Sequence, residues 1–199
     1  MRNTTLYLNE SEMHSLVRQI ILETVDELDL YHGTKADFDK FDLAYMSSGA
    51  GMQVYGKGVY LSTSFDTAKD YAGGGQVMKC QVPNGPYLSD KSVSQAVKQR
   101  IANSFFKYYT EEDEYGKDAY GSCKDEFWKY ECSSILNANT GVTLYNDIAA
   151  ITGDEKIAAG FLRKLGFIGL KIKSDGDKFY NYTIFDPDDI EIIEKIPVE

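Results

Sequence analysis

Strands and helices in mixed order predict an α+β fold, and three observations carry that expectation. Strand-like segments at 59–62, 77–82, 167–172, 179–185 and 190–196 alternate with helical stretches, without the regular rhythm of a doubly wound sheet. Of the 199 residues 43% are hydrophobic and 13% aromatic, enough for one domain to bury its own core. Turn signals at Pro83, Gly85, Pro86, Gly166 and Asp186-Pro187 separate the segments.

Residues 10–28 read as an amphipathic helix, because Met13, Leu16, Val17, Ile20, Ile21, Val25 and Leu28 fall on one stripe. Asn9 with Glu12 resembles a capping box. Such a stripe serves either to pack on its own domain or to dock a partner. Asp29-Leu30-Tyr31 leads into a short strand ending at His32-Gly33-Thr34. Phe38 and Phe41 stand in a polar stretch and anchor a loop or turn. Glycines crowd 47–58, after which Val59–Ser62 has strand character. Ser64 or Asp66 caps a helix that runs to about Ala72 and closes at Gly73-Gly74-Gly75. A weakly alternating strand follows at Val77–Val82.

Residues 92–135 read as mostly helical, broken around 116–122, with the acidic cluster 111–114 as a solvated loop or helix end. Helices at 144–151 and 155–165 are split at Thr152-Gly153. The C-terminal part carries strands at 167–172 and 179–185, a turn at 186–189 and a final strand at 190–196. No internal repeat or low-complexity tract is visible.

Thirty-one acidic against 21 basic residues give a net charge of -10, with no Lys/Arg run. Such a surface repels phosphate backbones, so nucleic acid and anionic membranes are disfavoured as partners. The three cysteines at 80, 123 and 132 form no Cys-x-x-Cys or Cys/His cluster. That pattern argues against a disulfide framework and against zinc, and no metal is expected. The longest strongly apolar run near the start is Ile20-Ile21-Leu22, too short for a signal sequence, and nothing approaches a membrane span. A reducing, cytoplasmic setting is expected.

Gly56-Lys57-Gly58 alone is weak, since it lacks the context of a Rossmann fingerprint or P-loop. The stronger feature is an ordered set. Tyr31-His32-Gly33-Thr34 comes first, then Tyr55-Gly56-Lys57-Gly58-Val59-Tyr60-Leu61-Ser62, then Ala68-Lys69-Asp70-Tyr71-Ala72. This set resembles the NAD⁺-binding core of the ADP-ribosyltransferases, in the His–Tyr branch shared by diphtheria-like toxins and poly-ADP-ribose polymerases. It looks in particular like small bacterial and phage-associated members, including those within large polyvalent phage or mobile-element proteins. Asn181-Tyr182-x-x-Phe185-Asp186 is similar to the pattern closing their catalytic segment.

The resemblance implies a split β-sandwich core over 29–199 with a helical insertion at about 92–140, preceded by the helix at 1–28. It implies NAD⁺ as substrate, cleaved at the nicotinamide–ribose bond, with ADP-ribose passed to a macromolecular, protein acceptor, as a single unit rather than a polymer. His32 would hydrogen-bond the adenosine-side ribose, which an uncharged imidazole can do. Gly33 would clamp the nicotinamide carboxamide through its backbone, which a residue without Cβ allows. Tyr60 and Tyr71 would face the nicotinamide ring, whose positive charge suits aromatic faces. Thr34 and Ser62 complete the implied NAD⁺-binding set, and His32, Tyr60 and Asn181 form the implied catalytic set. Two departures stand out. Ala68 occupies a position where the polymerase-like branch often has serine, and the strand 178–184 offers no carboxylate where classical members carry Glu. Asn181 can bond a ribose hydroxyl but brings no charge; Asp175 and Asp177 lie just upstream. An NAD⁺ glycohydrolase and a non-catalytic NAD⁺ or ADP-ribose binding module are the alternatives on the same fold.

Overall fold

A computed structural model describes residues 26–42, 56–112, 126–174 and 178–199, apart from the side chains at 108–112 and 126–131. The strands are β1 (Glu27–Thr34), β2 (Val59–Ser62), β3 (Gln76–Pro83), β4 (Tyr87–Ser89), β5 (Gly169–Lys173), β6 (Tyr180–Ile184) and β7 (Glu191–Pro197). Helices α1 (Phe65–Ala72), α2 (Gln95–Glu112), α3 (Glu126–Asn137), α4 (Gly141–Thr152) and α5 (Glu155–Lys164) lie between β2 and β5, and a 3₁₀ turn at Pro187–Asp189 precedes β7. This is the expected α+β class.

The strands form one sheet in the order β4-β5-β6-β2-β1-β3-β7, antiparallel except for the parallel pair β4–β5. Its joints differ in strength. β1 pairs with β3 over its whole length, from Glu27↔Pro83 to Thr34↔Gln76, and β2 pairs with β6 from Val59↔Ile184 to Ser62↔Asn181. β1 and β2 meet at the single register pair Tyr31↔Ser62. That joint divides the sheet into the halves β4-β5-β6-β2 and β1-β3-β7, the division expected of a split sandwich.

Side-chain alternation assigns the two faces. On one face Leu30, Met78, Cys80 and Val82 of one half share a core with Val59, Leu61, Tyr182 and Ile184 of the other, closed by Phe41 and Ile190. On the opposite face the helices pack in two places. Ala68 and Ala72 of α1 lie on Val77 and Tyr31, while Ile101, Phe105, Leu144, Ile148, Phe161 and Leu162 cover Leu88 and Leu170. The helical stretch from 95 is therefore built into the main core of the β4–β5 half.

Local signals explain α1. Ser64 is its N-cap and accepts from the Thr67 amide, and Gly73 closes it with φ of 51°. The turn at Pro83–Pro86, the stop at Gly166 and the C-terminal strands also fall where expected, within a residue or two.

The structure departs from the sequence expectations in three places. β1 starts at Glu27, so residues 27 and 28 are strand and not the end of a helix; the rest of that predicted helix lies outside the described residues. β4 is a strand where none is predicted. Cys132 is disulfide-bonded, a crosslink that the cysteine pattern argues against. Cys80 is a free thiol in the core, its pKa pushed up to about 12 by burial, hence unreactive. The glycine-rich 47–55, the helical break at 116–122 and Asp175 and Asp177 also lie outside the described residues. Among the described residues no helix is long and apolar enough to cross a membrane.

Candidate active site

The site is built around the joint between β1 and β2. His32 lies next to Tyr31, at the point where the two strands stop pairing. Its Nδ1 is 2.8 Å from the Tyr60 carbonyl on β2. A carbonyl can only accept, so Nδ1 carries the proton and Nε2 of a neutral ring is left as an acceptor. Burial holds the His32 pKa below the ordinary histidine value, against the smaller upward pull of that hydrogen bond. The neutral form therefore persists through neutral pH. Phe41 meets the imidazole edge-on at 5.0 Å between ring centres and packs on Phe38 at the same distance, which sets the ring plane. The two phenylalanines anchor the loop after β1 as predicted.

Gly33 has a structural reason to be glycine that the sequence does not display. A Cβ there would stand 1.8 Å from the Ala68 carbonyl oxygen and 2.7 Å from the Ala72 amide nitrogen. The missing Cβ lets α1 lie directly on β1. Ala68 fits the same contact, since it lies on the buried, β1-facing side of α1 at 3% exposure. The close packing sets α1, and with it Tyr71, beside the His32-Gly33 segment. Tyr71 itself is 67% exposed, so its ring is accessible to a ligand.

Tyr60 lies on β2, just after the loop at 56–58. Its hydroxyl donates to the Gly56 carbonyl at 2.8 Å, which turns the side chain back along its own strand. Register places Tyr60 opposite Thr183 and Ser62 opposite Asn181. Opposed residues share a face and so do residues two apart, so Tyr60, Ser62 and Asn181 project to one side. Tyr31 joins this row from β1. The predicted catalytic residues Tyr60 and Asn181 are thus diagonal neighbours on β2 and β6, whereas His32, adjacent to Tyr31 in β1, projects to the opposite face with Leu30 and Met78 and reaches the backbone carbonyl of Tyr60.

Two predicted binding residues are engaged locally. The buried Ser62 hydroxyl accepts from the Ser64 amide at 3.1 Å, and Thr34 Oγ1 accepts from the Ala36 amide at 3.1 Å. Both fix turns that follow a strand, a common use of short hydroxyl side chains.

Sequence reading missed the groups that hold this arrangement together. Thr63 donates its amide to the Tyr180 carbonyl at 2.9 Å, and its Oγ1 accepts from the Tyr180 amide at 2.9 Å. That reciprocal pair sets the β2–β6 register just ahead of Asn181. Tyr145 of α4, 1% exposed, accepts from the Lys57 amide at 2.9 Å. An isolated tyrosine in an apolar helix gives no signal of such a long-range bond. A shallow depression lined by Ser133, Asn137, Thr143 and Asp147 includes none of the predicted site residues. No cluster of His, Cys, Asp or Glu able to hold a metal occurs among the described residues.

The joint thus brings together a neutral histidine bonded across it, a tyrosine on β2 and an exposed tyrosine on the following helix. The family model for ADP-ribosyltransferases in polyvalent proteins matches residues 26–193, and the chain belongs to that family. The match runs from β1 into the start of β7 and includes all five helices described above. No curated protein and no solved structure matches the chain. The domain is thus of ADP-ribosyltransferase type, a class that uses NAD⁺ as its substrate.

Proposed function

We propose that this domain cleaves NAD⁺ at the nicotinamide–ribose bond and transfers a single ADP-ribose to a protein acceptor, as part of a phage or mobile-element system acting in host cytoplasm. The observation that carries the reading is the His32–Tyr60 contact across the joint between β1 and β2. Nε2 of His32 is the acceptor for a hydroxyl of the adenosine-side ribose. Gly33 backbone groups take the carboxamide, and Tyr60 and Tyr71 flank the pyridinium, whose charge favours ring faces. Thr34 and Ser62 shape the turns beside them.

In the chemical step the C–N bond to ribose breaks and its electron pair neutralises the pyridinium nitrogen. Nicotinamide leaves as a neutral molecule, so no general acid is needed. The anomeric carbon gains oxocarbenium character, an acceptor nucleophile bonds to it, and the acceptor's proton passes to solvent. Asn181, on the face of Tyr60, holds a hydroxyl of the nicotinamide-side ribose through its amide. It brings no negative charge to the developing cation. Transfer of one unit to a protein, rather than chain elongation, follows from that deficit.

The absent carboxylate on β6 also favours a second reading, a module that binds NAD⁺ or ADP-ribose without chemistry. One assay separates the readings. Purified protein is given NAD⁺ labelled in the ADP-ribose half, with and without host lysate. Label on protein supports transfer, free ADP-ribose alone means hydrolysis, and calorimetric binding without nicotinamide release means a binding module. No binding of any nicotinamide nucleotide would remove all three.

A further inference from the structure

Tyr60 is held by a path that ends in the helical region. Its hydroxyl donates to the Gly56 carbonyl at 2.8 Å. The next residue, Lys57, donates its amide to the Tyr145 hydroxyl at 2.9 Å. Tyr145 in turn donates to the Glu155 carbonyl at 3.3 Å, at the first turn of α5. The two tyrosine hydroxyls thus grip the two ends of one planar peptide unit, Tyr60 its Gly56 carbonyl and Tyr145 its Lys57 amide.

Sterics tighten the grip. Gly56 has a φ of +86°, and a Cβ there would stand 2.5 Å from the Tyr145 ring. The Tyr145 ring is pressed against that glycine backbone and stacks on Phe185, 5.7 Å between centres with planes 19° apart. Phe185 directly follows β6, the strand of Asn181. One buried side chain therefore touches the loop that leads into the strand of Tyr60 and the end of the strand that carries Asn181. Burial also raises the Tyr145 pKa to about 12, so the hydroxyl keeps its proton and stays a donor at neutral pH.

We propose that Tyr145 is a positioning residue for NAD⁺ turnover: through the Lys57 amide and the Gly56 carbonyl its hydroxyl fixes the Tyr60 ring in the plane that the nicotinamide requires. This inference rests on the role given to Tyr60 above. It assigns the helical region a function, as the buttress of the nicotinamide side of the site. Tyr145 touches no reacting atom and acts only through the loop.

The test compares wild type, Tyr145→Phe, Tyr60→Phe and the double variant. Phenylalanine keeps the ring that fills the space between Gly56 and Phe185 and removes only the hydroxyl. Each single variant is expected to lose about tenfold or more in kcat/KM for nicotinamide release, the scale on which small misplacements act. The double variant should lose no more than the worse single one, because both changes cut the same relay. Amide exchange at Lys57, read without NAD⁺, should accelerate in Tyr145→Phe. Wild-type kinetics in Tyr145→Phe would overturn the proposal, and so would losses that multiply in the double variant. Collapse of the fold in Tyr145→Phe would make the hydroxyl a requirement of folding and overturn it as well. A wild type that binds NAD⁺ but releases nothing, or binds nothing, fails the reading of Tyr60 itself. That outcome is distinct, because the Lys57 exchange experiment still reports on the relay.

Discussion

Gly33→Ala discriminates between two reasons for a glycine at the position proposed as the nicotinamide clamp. If the residue serves only the ligand, alanine leaves the free protein alone and weakens NAD⁺ binding. The packing says otherwise. The added methyl would stand 1.8 Å from the Ala68 oxygen, and contacts below 3.0 Å are essentially never tolerated. Helix α1 must then retreat by about 1.2 Å, the difference between those two distances. The atom met is backbone of a helix pinned by Ser64 and Gly73, so no side chain can turn aside. Overpacking of this kind costs about 1–3 kcal/mol, at times more. At about 2–4 °C per kcal/mol for a chain of this size, a cost near 3 kcal/mol lowers Tm by roughly 6–12 °C. The assay is thermal and urea unfolding of the ligand-free protein, with calorimetric NAD⁺ binding alongside. A ligand-free Tm within about 1 °C of wild type, on that same scale, refutes the packing argument.

Three other outcomes follow from the geometry. The His32 pKa is depressed by burial, so the unfolded chain takes up its proton first as pH falls through the ordinary histidine value of 6.5. Stability is unaffected above that pH and is lost below it until folded His32 itself titrates; between about pH 7.5 and 5.5 wild type should lose more stability than His32→Gln, and equal losses would contradict this. Arg163 of α5 pairs with Asp186 and stands 3.5 Å from the carboxylate of Asp189, which is 8% exposed. Because Arg163 and Asp186 stay partly in water, Arg163→Met should cost about 1–3 kcal/mol rather than the value for a fully buried pair, and an unchanged urea midpoint would show that the pair contributes nothing. Asn181→Ala should lower nicotinamide release through kcat, whereas Asn181→Glu supplies the missing charge and should raise it, by up to about 10²-fold; a glutamate variant no faster than wild type places the third catalytic group elsewhere.

The parts of the fold legible in the sequence are those governed by neighbours along the chain. Ser64 and Gly73 announce both ends of α1, and Gly166 the stop after α5, because caps act within a few residues. The start of β1 is ambiguous in sequence because Leu28 satisfies two periods at once. It follows Val25 at helical spacing and precedes Leu30 at strand spacing, and pairing with Val82 decides between them. β4 escapes sequence reading because three residues cannot display alternation, and its partner β5 lies some eighty positions further on. For the site, the identities of His32, Gly33, Tyr60 and Asn181 are visible as a resemblance. The packing reason for Gly33 and the hydroxyl of Tyr145 are not, since both depend on contacts distant in sequence.

The division of the sheet also divides the roles proposed for the site. His32, Gly33 and, through α1, Tyr71 belong to the β1-β3-β7 half, while Tyr60 and Asn181 belong to the other. A full ladder between β1 and β2 would engage the backbone beyond Tyr31 and leave no edge for a ligand. With a single pair, the segment from His32 to Thr34 keeps β3 on one side and has no β2 partner on the other among the described residues. The His32–Tyr60 bond ties the halves together at that gap without closing it. A neutral histidine suits this position, because its one proton secures the protein and its other nitrogen stays available. Protonation would turn that nitrogen from acceptor to donor and place a charge in a site whose substrate is itself a cation at the nicotinamide. Burial that keeps His32 uncharged therefore suits both the joint and the ligand role proposed for it, and a single substitution there should disturb the two together.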